Sequence, residues 1–207
     1  MNSAMIVNSN DPHGYSLLPY EGPEAGYRVD ILERIQERLD LCLERHSQVL
    51  AVMMVIRFPQ SLTIEQNNNC FQYFIEEYRR ILNAHGYDPH YVWVAERDEA
   101  PSQHYHLLLL LNGNRIRSFQ MPPTEASAVW GRALNRFYGY GGFVDGLIHV
   151  GKVMQYEHPR RSYLILRNDF DMQDAMMEHF SYFAKMHSKV CFANKARVFG
   201  ASLMKRE

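Results

Sequence analysis

The sequence predicts an α+β domain, a central antiparallel sheet with helices on one face. Three observations predict it. Stretches of strand length rich in apolar, β-branched or aromatic residues recur at 48–58, 91–96, 104–111, 146–150 and 162–166. Amphipathic stretches with three- and four-residue periodicity separate and follow them. From residue 48 onward the order is strand, helix, strand, strand, helix, strand, a ferredoxin-like or RNA-recognition-motif-like arrangement.

Residues 1–23 are polar and broken by Pro12, Gly14, Pro19, Gly22 and Pro23, which predicts a flexible arm. Over 24–46, Ile31, Leu32, Ile35, Leu39, Cys42 and Leu43 recur at helical steps, so this segment is a helix packed on the domain formed by 47–207. The apolar run 48–58 is a strand closed by Pro59. A helix over 67–84 follows, with Phe71, Phe74, Ile75, Tyr78 and Leu82 as its core stripe and Gly86 as its stop. The strands at 91–96 and 104–111 form a hairpin whose connection carries Pro101. Pro122 and Pro123 open a helix that runs through Trp130 and Leu134 to about Tyr138, where glycines end it. After two further strands comes a helix over 172–190. At 100° per residue, Glu178, His179, Lys185, Met186 and Lys189 share the outward side of Tyr182, and Met176, Phe180, Phe183 and Ala184 form the packing side.

Cys42, Cys70 and Cys191 are odd in number, far apart and free of any Cys-x-x-Cys spacing, so neither a disulfide framework nor a zinc ribbon is indicated, and a reducing cytoplasm fits. The N-terminus lacks the pattern of a secretory leader and the longest apolar run, 49–56, is too short to span a bilayer, so no membrane association is expected. Net charge is −1, unlike a protein that coats nucleic acid by charge alone. The halves differ: residues 1–100 hold eight arginines and no lysine against fifteen acids, a balance of −7, whereas 101–207 hold 14 basic residues against 8 acids, +6. The positive half suits a phosphodiester backbone.

That half carries both His104-Tyr105-His106 and Tyr182 with Lys185. In a strand, residues i and i+2 share a face, so His104-Tyr105-His106 ahead of a five-leucine run sets two imidazoles side by side and turns Tyr105 into the sheet. Strand parity lets Glu96 stand across the hairpin from His104 or His106, bringing one carboxylate and two imidazoles together as a metal site. A bland reading, in which both histidines decorate a solvated strand face, stands beside this one. His-x-His alone arises by chance in roughly half of chains this rich in histidine and Tyr-x-x-Lys in about a third, so the conjunction with Glu96 carries the argument.

A divalent ion on His104, His106 and Glu96 would polarise a phosphodiester oxygen; mixed nitrogen and oxygen ligation suits Mn²⁺, Co²⁺ or Zn²⁺, and abundance favours Mg²⁺. Tyr182 is the candidate nucleophile and Lys185, one turn along, the cation that stabilises its phenolate. Attack would give a 5′-phosphotyrosyl link and a free 3′-hydroxyl. No second tyrosine stands at 178, 179, 185 or 186, so strand transfer at termination needs a second protomer or a water, which Glu178 could activate. Arg160, Arg161, Lys189, Lys195 and Arg197 are candidate phosphate contacts, with ordinary solvated charge as the equal alternative. Residues 137–140 (Phe-Tyr-Gly-Tyr) could stack unpaired bases, but a glycine-capped helix end explains them as well.

The apolar strand at 49–58, His104-Tyr105-His106, Tyr182 with Lys185, and the placement of Glu96 together resemble the HUH endonucleases. More closely, 181–189 (SYFAKMHSK) and 197–202 (RVFGAS) are similar to the inovirus-type replication proteins and the prophage YagK/YfjJ C-terminal domain family. The resemblance covers roughly 45–202; Phe183 and Met186 depart from it, where smaller or more polar residues are expected. It implies a rolling-circle replication initiator that nicks one strand of a single-stranded or hairpin origin, stays covalently attached and religates the displaced circle. A divalent metal would be its cofactor, host helicase and polymerase its partners, and an oligomer would form during termination. Two competing readings remain at this point: a non-catalytic origin or operator binder, and a metal-dependent phosphoesterase without a covalent step.

Overall fold

The computed structural model describes residues 6–7, 14–19, 26–64, 67–97, 103–151, 162–186 and 197–204. A ribbon of β1 (Ile6–Val7) and β2 (Tyr27–Arg28) precedes α1 (Val29–Arg45). Then come β3 (Gln48–Arg57), α2 (Asn69–Ala84), β4 (His90–Glu96), β5 (His104–Asn112), α3 (Met121–Tyr138), β6 (Ile148–Val150), β7 (Ser162–Leu166), α4 (Phe170–Phe180), a 3₁₀ turn (Ser181–Ala184) and β8 (Phe199–Ala201). The main sheet has the order β6-β3-β5-β4-β8, with β7 pairing β3 beside β6, and every pairing is antiparallel.

The α+β class with a central antiparallel sheet is the expected one, but the helices cover both faces rather than one. The cause is legible in β3 and β5, where consecutive residues are apolar, the mark of strands buried on both sides. Leu50, Val52, Met54 and Ile56 of β3 point with Tyr105, Leu107, Leu109 and Leu111 of β5 toward α2 and α3. Val49, Ala51 and Met53 point with Leu108 and Leu110 toward α1, α4 and the 3₁₀ turn. The predicted aromatic stripe of α2 is buried in full, and Gly139 ends α3 in the left-handed conformation, φ 63°. Cys42 and Cys70 are buried free thiols, each pushed up to about 12 by desolvation, so neither is reactive. No helix among the described residues is long and apolar enough to cross a membrane.

Three further expectations need correction. Part of the predicted arm, 14–19, lies on the domain: Leu18 is buried, its N–H donates to Ser181 Oγ at 3.0 Å, its carbonyl accepts the Tyr27 hydroxyl, and Ser16 bonds Asp174. The helix expected over 172–190 is α only to Phe180. It tightens into the 3₁₀ turn, after which Lys185 is extended, bridges to Tyr27, and is followed by a Met186 N–H bond to the Gly26 carbonyl at 3.1 Å. Pairing with the segment before α1 replaces helical hydrogen bonds there. His179, expected on the outward side, is buried instead: its Nδ1 lies 2.7 Å from the Tyr163 hydroxyl and its ring stacks on Phe180. Residues 187–190 of the expected helix lie outside the described residues.

Candidate metal centre

Antiparallel register places Glu96 directly opposite His104, and Val94 opposite His106, at the end of the β4–β5 hairpin where the two strands connect. Residues paired across strands share a face, so the carboxylate and both imidazoles emerge together on the face of α1 and α4. His106 Nε2 lies 3.1 Å from His104 Nε2 and 3.1 Å from Glu96 Oε2, and His104 Nε2 lies 3.7 Å from the same oxygen. Glu96 is 3 % exposed, a burial that a carboxylate tolerates only with partners.

The donor set fits a cation. Two imidazole nitrogens facing each other at 3.1 Å repel unless a proton or a metal lies between them. Donors held about 2.1 Å from one ion stand about 3 Å apart at a right angle and about 3.4 Å apart at the tetrahedral angle, close to the separations found. Glu96, His104 and His106 therefore could hold a metal ion, their ligand atoms all lying within 4.8 Å of one another.

A buried network on the opposite face fixes this end of β5. Tyr105 turns into the sheet as expected and stacks on Phe71 at 3.9 Å between centroids. Its hydroxyl donates to Asn68 Oδ1 at 2.9 Å, and the Gln103 amide donates to it and to the Asn67 carbonyl. Asn68 Nδ2 in turn donates to the Arg197 carbonyl at 2.8 Å, tying the lead into β8 to the same point. Burial holds the Tyr105 hydroxyl far above the usual phenol range, so it is a fixed donor and not a titrating group.

Tyr182 closes the other side. Its ring stands edge-on to His106 at 5.3 Å, and the neighbouring Phe183, fully buried against Phe180, lies 5.9 Å from the same imidazole. Phe183 thus packs the turn onto the histidine. His106 Nδ1 has no hydrogen-bond partner among the described residues, so packing by these two rings sets the ring's orientation. Lys185 Nζ sits 4.5 Å above the Tyr182 ring.

Not every expected residue gathers here. Glu178 is half-buried near the end of α4, and its carboxylate makes no hydrogen bond or ion pair among the described residues; its carbonyl accepts the Ser181 hydroxyl. Arg197 is exposed and reaches the network through its carbonyl only. Arg160, Arg161, Lys189 and Lys195 lie outside the described residues. Sequence reasoning missed Asn68 and Gln103, which brace the hairpin, and Leu18 and Tyr27, which brace the turn. It also missed Arg57, opposite His104, and His149 on β6. Only strand register reveals the last two.

No curated protein matches the chain. The model of the YagK/YfjJ C-terminal domain matches residues 15–202, a span that ends just after β8, and the chain belongs to that family.

Proposed function

We propose that this protein is a rolling-circle replication initiator, nicking and joining single-stranded DNA through a phosphotyrosyl link on Tyr182. The observation that carries the reading is the contact of Tyr182 with His106: a potential nucleophile stands against a candidate metal ligand, with a lysine ammonium over its ring.

A divalent ion, Mn²⁺ or Mg²⁺ in the first place with Zn²⁺ and Co²⁺ also suited, would supply Lewis-acid polarisation of the scissile phosphate. Glu96, His104 and His106 would hold it. The chain's own groups do the rest. An ordinary phenol loses its proton near about pH 10, so attack at neutral pH requires stabilisation of the phenolate, which the Lys185 cation offers. The Tyr182 Oη–phosphorus bond forms as the bond from phosphorus to the 3′ oxygen breaks; the phenolic proton passes through solvent to that oxygen, leaving a 3′-hydroxyl able to prime a polymerase. The link conserves the phosphodiester's energy, so a 3′-hydroxyl can later displace Tyr182 and restore it. Resolution by water, with Glu178 as the base, is the alternative ending, and a second protomer would otherwise supply the second tyrosine. Arg197 and the basic residues at 160, 161, 189 and 195 serve as phosphate contacts in this reading, with host helicase and polymerase acting on the product.

The test is incubation with a labelled single-stranded or hairpin origin oligonucleotide and Mn²⁺, resolved on a denaturing gel. The initiator gives a protein–DNA adduct that Tyr182→Phe abolishes. Cleavage without an adduct replaces it with a phosphoesterase, and binding without cleavage with an origin or operator binder.

A further inference from the structure

The metal centre has two flanks across the sheet, and they differ in charge. Toward β8, Val94 pairs with Phe199, whose ring is covered by Arg28 at 5.0 Å, and Arg28 is itself paired with Asp30 at 2.6 Å. Toward β6, Arg57 stands directly opposite His104, and Val55 stands opposite both His106 and His149. Directly opposed residues share a face, so Arg57 and His149 emerge on the face that carries the centre. Neighbouring strands lie about 4.8 Å apart, so His149 is displaced about 10 Å from His106 along the sheet. Val55 between them is buried and apolar, whereas Arg57 and His149 are exposed. The His149 imidazole is held below its ordinary value first by partial desolvation and then by Arg57 and His106, so both lie within electrostatic reach. Among the described residues neither Arg57 nor His149 has an acidic partner. The backbone of Arg57 is pinned on both sides, its N–H to the Leu147 carbonyl at 2.8 Å and its carbonyl to Trp130 Nε1 at 2.9 Å, so the guanidinium projects from a fixed position.

An exposed guanidinium with no carboxylate partner among the described residues, next to a site for phosphodiester chemistry, matches the geometry of a phosphate oxyanion. A nearby imidazole adds one N–H donor. We infer that Arg57 and His149 form a subsite across β3 and β6 that holds a backbone phosphate of single-stranded DNA adjacent to the one Tyr182 attacks. This rests on the nicking reading for its substrate. The strand then leaves the centre toward β6 and not toward β8.

The experiment measures binding of 5′-labelled dT20 to the full chain by fluorescence anisotropy over a series of NaCl concentrations. A Tyr182→Phe background keeps binding reversible. One phosphate contact on a single strand contributes about 0.7 to the slope of log K against log salt. Arg57→Ala is expected to lower the slope by about that amount and weaken binding about tenfold, Arg57→Lys to restore the slope, and His149→Ala to weaken binding about threefold at pH 8 with the slope unchanged. Mn²⁺ affinity stays at the parent value throughout. Slopes and affinities equal to the parent's, or a loss of Mn²⁺ binding in Arg57→Ala, overturn the subsite. The adduct assay on the Tyr182-bearing chain separates the two claims. Unchanged slopes with an adduct refute the subsite and leave nicking; a lost slope without an adduct refutes nicking and leaves a DNA-binding row.

Discussion

The ring of Tyr182 meets the ring of His106 edge-on, 5.3 Å between centroids and 65° between planes. These residues are far apart in sequence and come from different layers, one from the 3₁₀ turn after α4 and one from β5. Their contact joins a donor cluster that could hold a metal to a phenol that could act as nucleophile.

If Glu96, His104 and His106 are ligands, His106→Ala lowers Mn²⁺ affinity by at least about 100-fold in calorimetric titration. Cleavage disappears with it, while retention of single-stranded DNA on filters stays within about threefold. Unchanged Mn²⁺ binding removes His106 from the centre.

In the proposed reaction Lys185 acts through the phenolate, so its loss matters most where phenolate is scarce. Lys185→Ala is expected to slow adduct formation about 10- to 100-fold at pH 7.5, with a deficit that shrinks as pH approaches 9.5. A deficit of equal size at every pH marks a structural role instead.

Burial lowers the His179 imidazole from 6.5 to about 4. The folded protein keeps this ring neutral while the unfolded chain takes up a proton below about 6.5, so the unfolded state binds more protons between those values. The associated stability is complete above about pH 6.5 and is lost progressively as pH falls to about 4, on the order of 2–3 kcal/mol. Urea unfolding at pH 7.5, 5.5 and 4.5 reads it, with His179→Phe as the comparison. An equally steep loss in the variant assigns it to other groups.

Gly200 sits where β8 crosses Trp93, and a Cβ there would lie 2.8 Å from indole ring atoms. Gly200→Ala should push β8 from β4 and destabilise the fold by about 1–3 kcal/mol in urea unfolding. Wild-type stability would mean that β8 docks without this close approach.

Local pattern carried much of this. The His-x-His alternation and strand parity with Glu96 place three side chains on one face, and the structure brings them within contact because the hairpin register pairs 96 with 104. The stripe of α2 and the glycine stop of α3 were legible for the same reason: each depends on neighbours a few residues apart. What depended on distant partners was not. Continuation of the last helix past Phe180 is favoured by periodicity and overridden by pairing of Lys185 with Tyr27, 158 positions earlier in the chain. His179 is polar by composition, yet Tyr163 on β7 gives it a partner inside the core. Arg57 and His149 belong to the site's face only through β3–β5 and β3–β6 register, which no local pattern encodes. The 197–202 segment (RVFGAS), legible as a family resemblance but not as chemistry, holds an edge strand whose glycine lies against Trp93, and its Ser202 hydroxyl accepts the Tyr91 N–H at 3.2 Å.

In the proposed reaction Tyr182 forms a covalent bond to DNA. After reaction with an origin oligonucleotide and Mn²⁺, nuclease trimming and trypsin digestion, the peptide spanning 168–185 contains Tyr182 as its single tyrosine. Mass spectrometry should find this peptide carrying a 5′-linked nucleotide on that side chain, with the modification absent when Mn²⁺ is withheld. A nicked oligonucleotide accompanied by only the unmodified peptide would contradict the account.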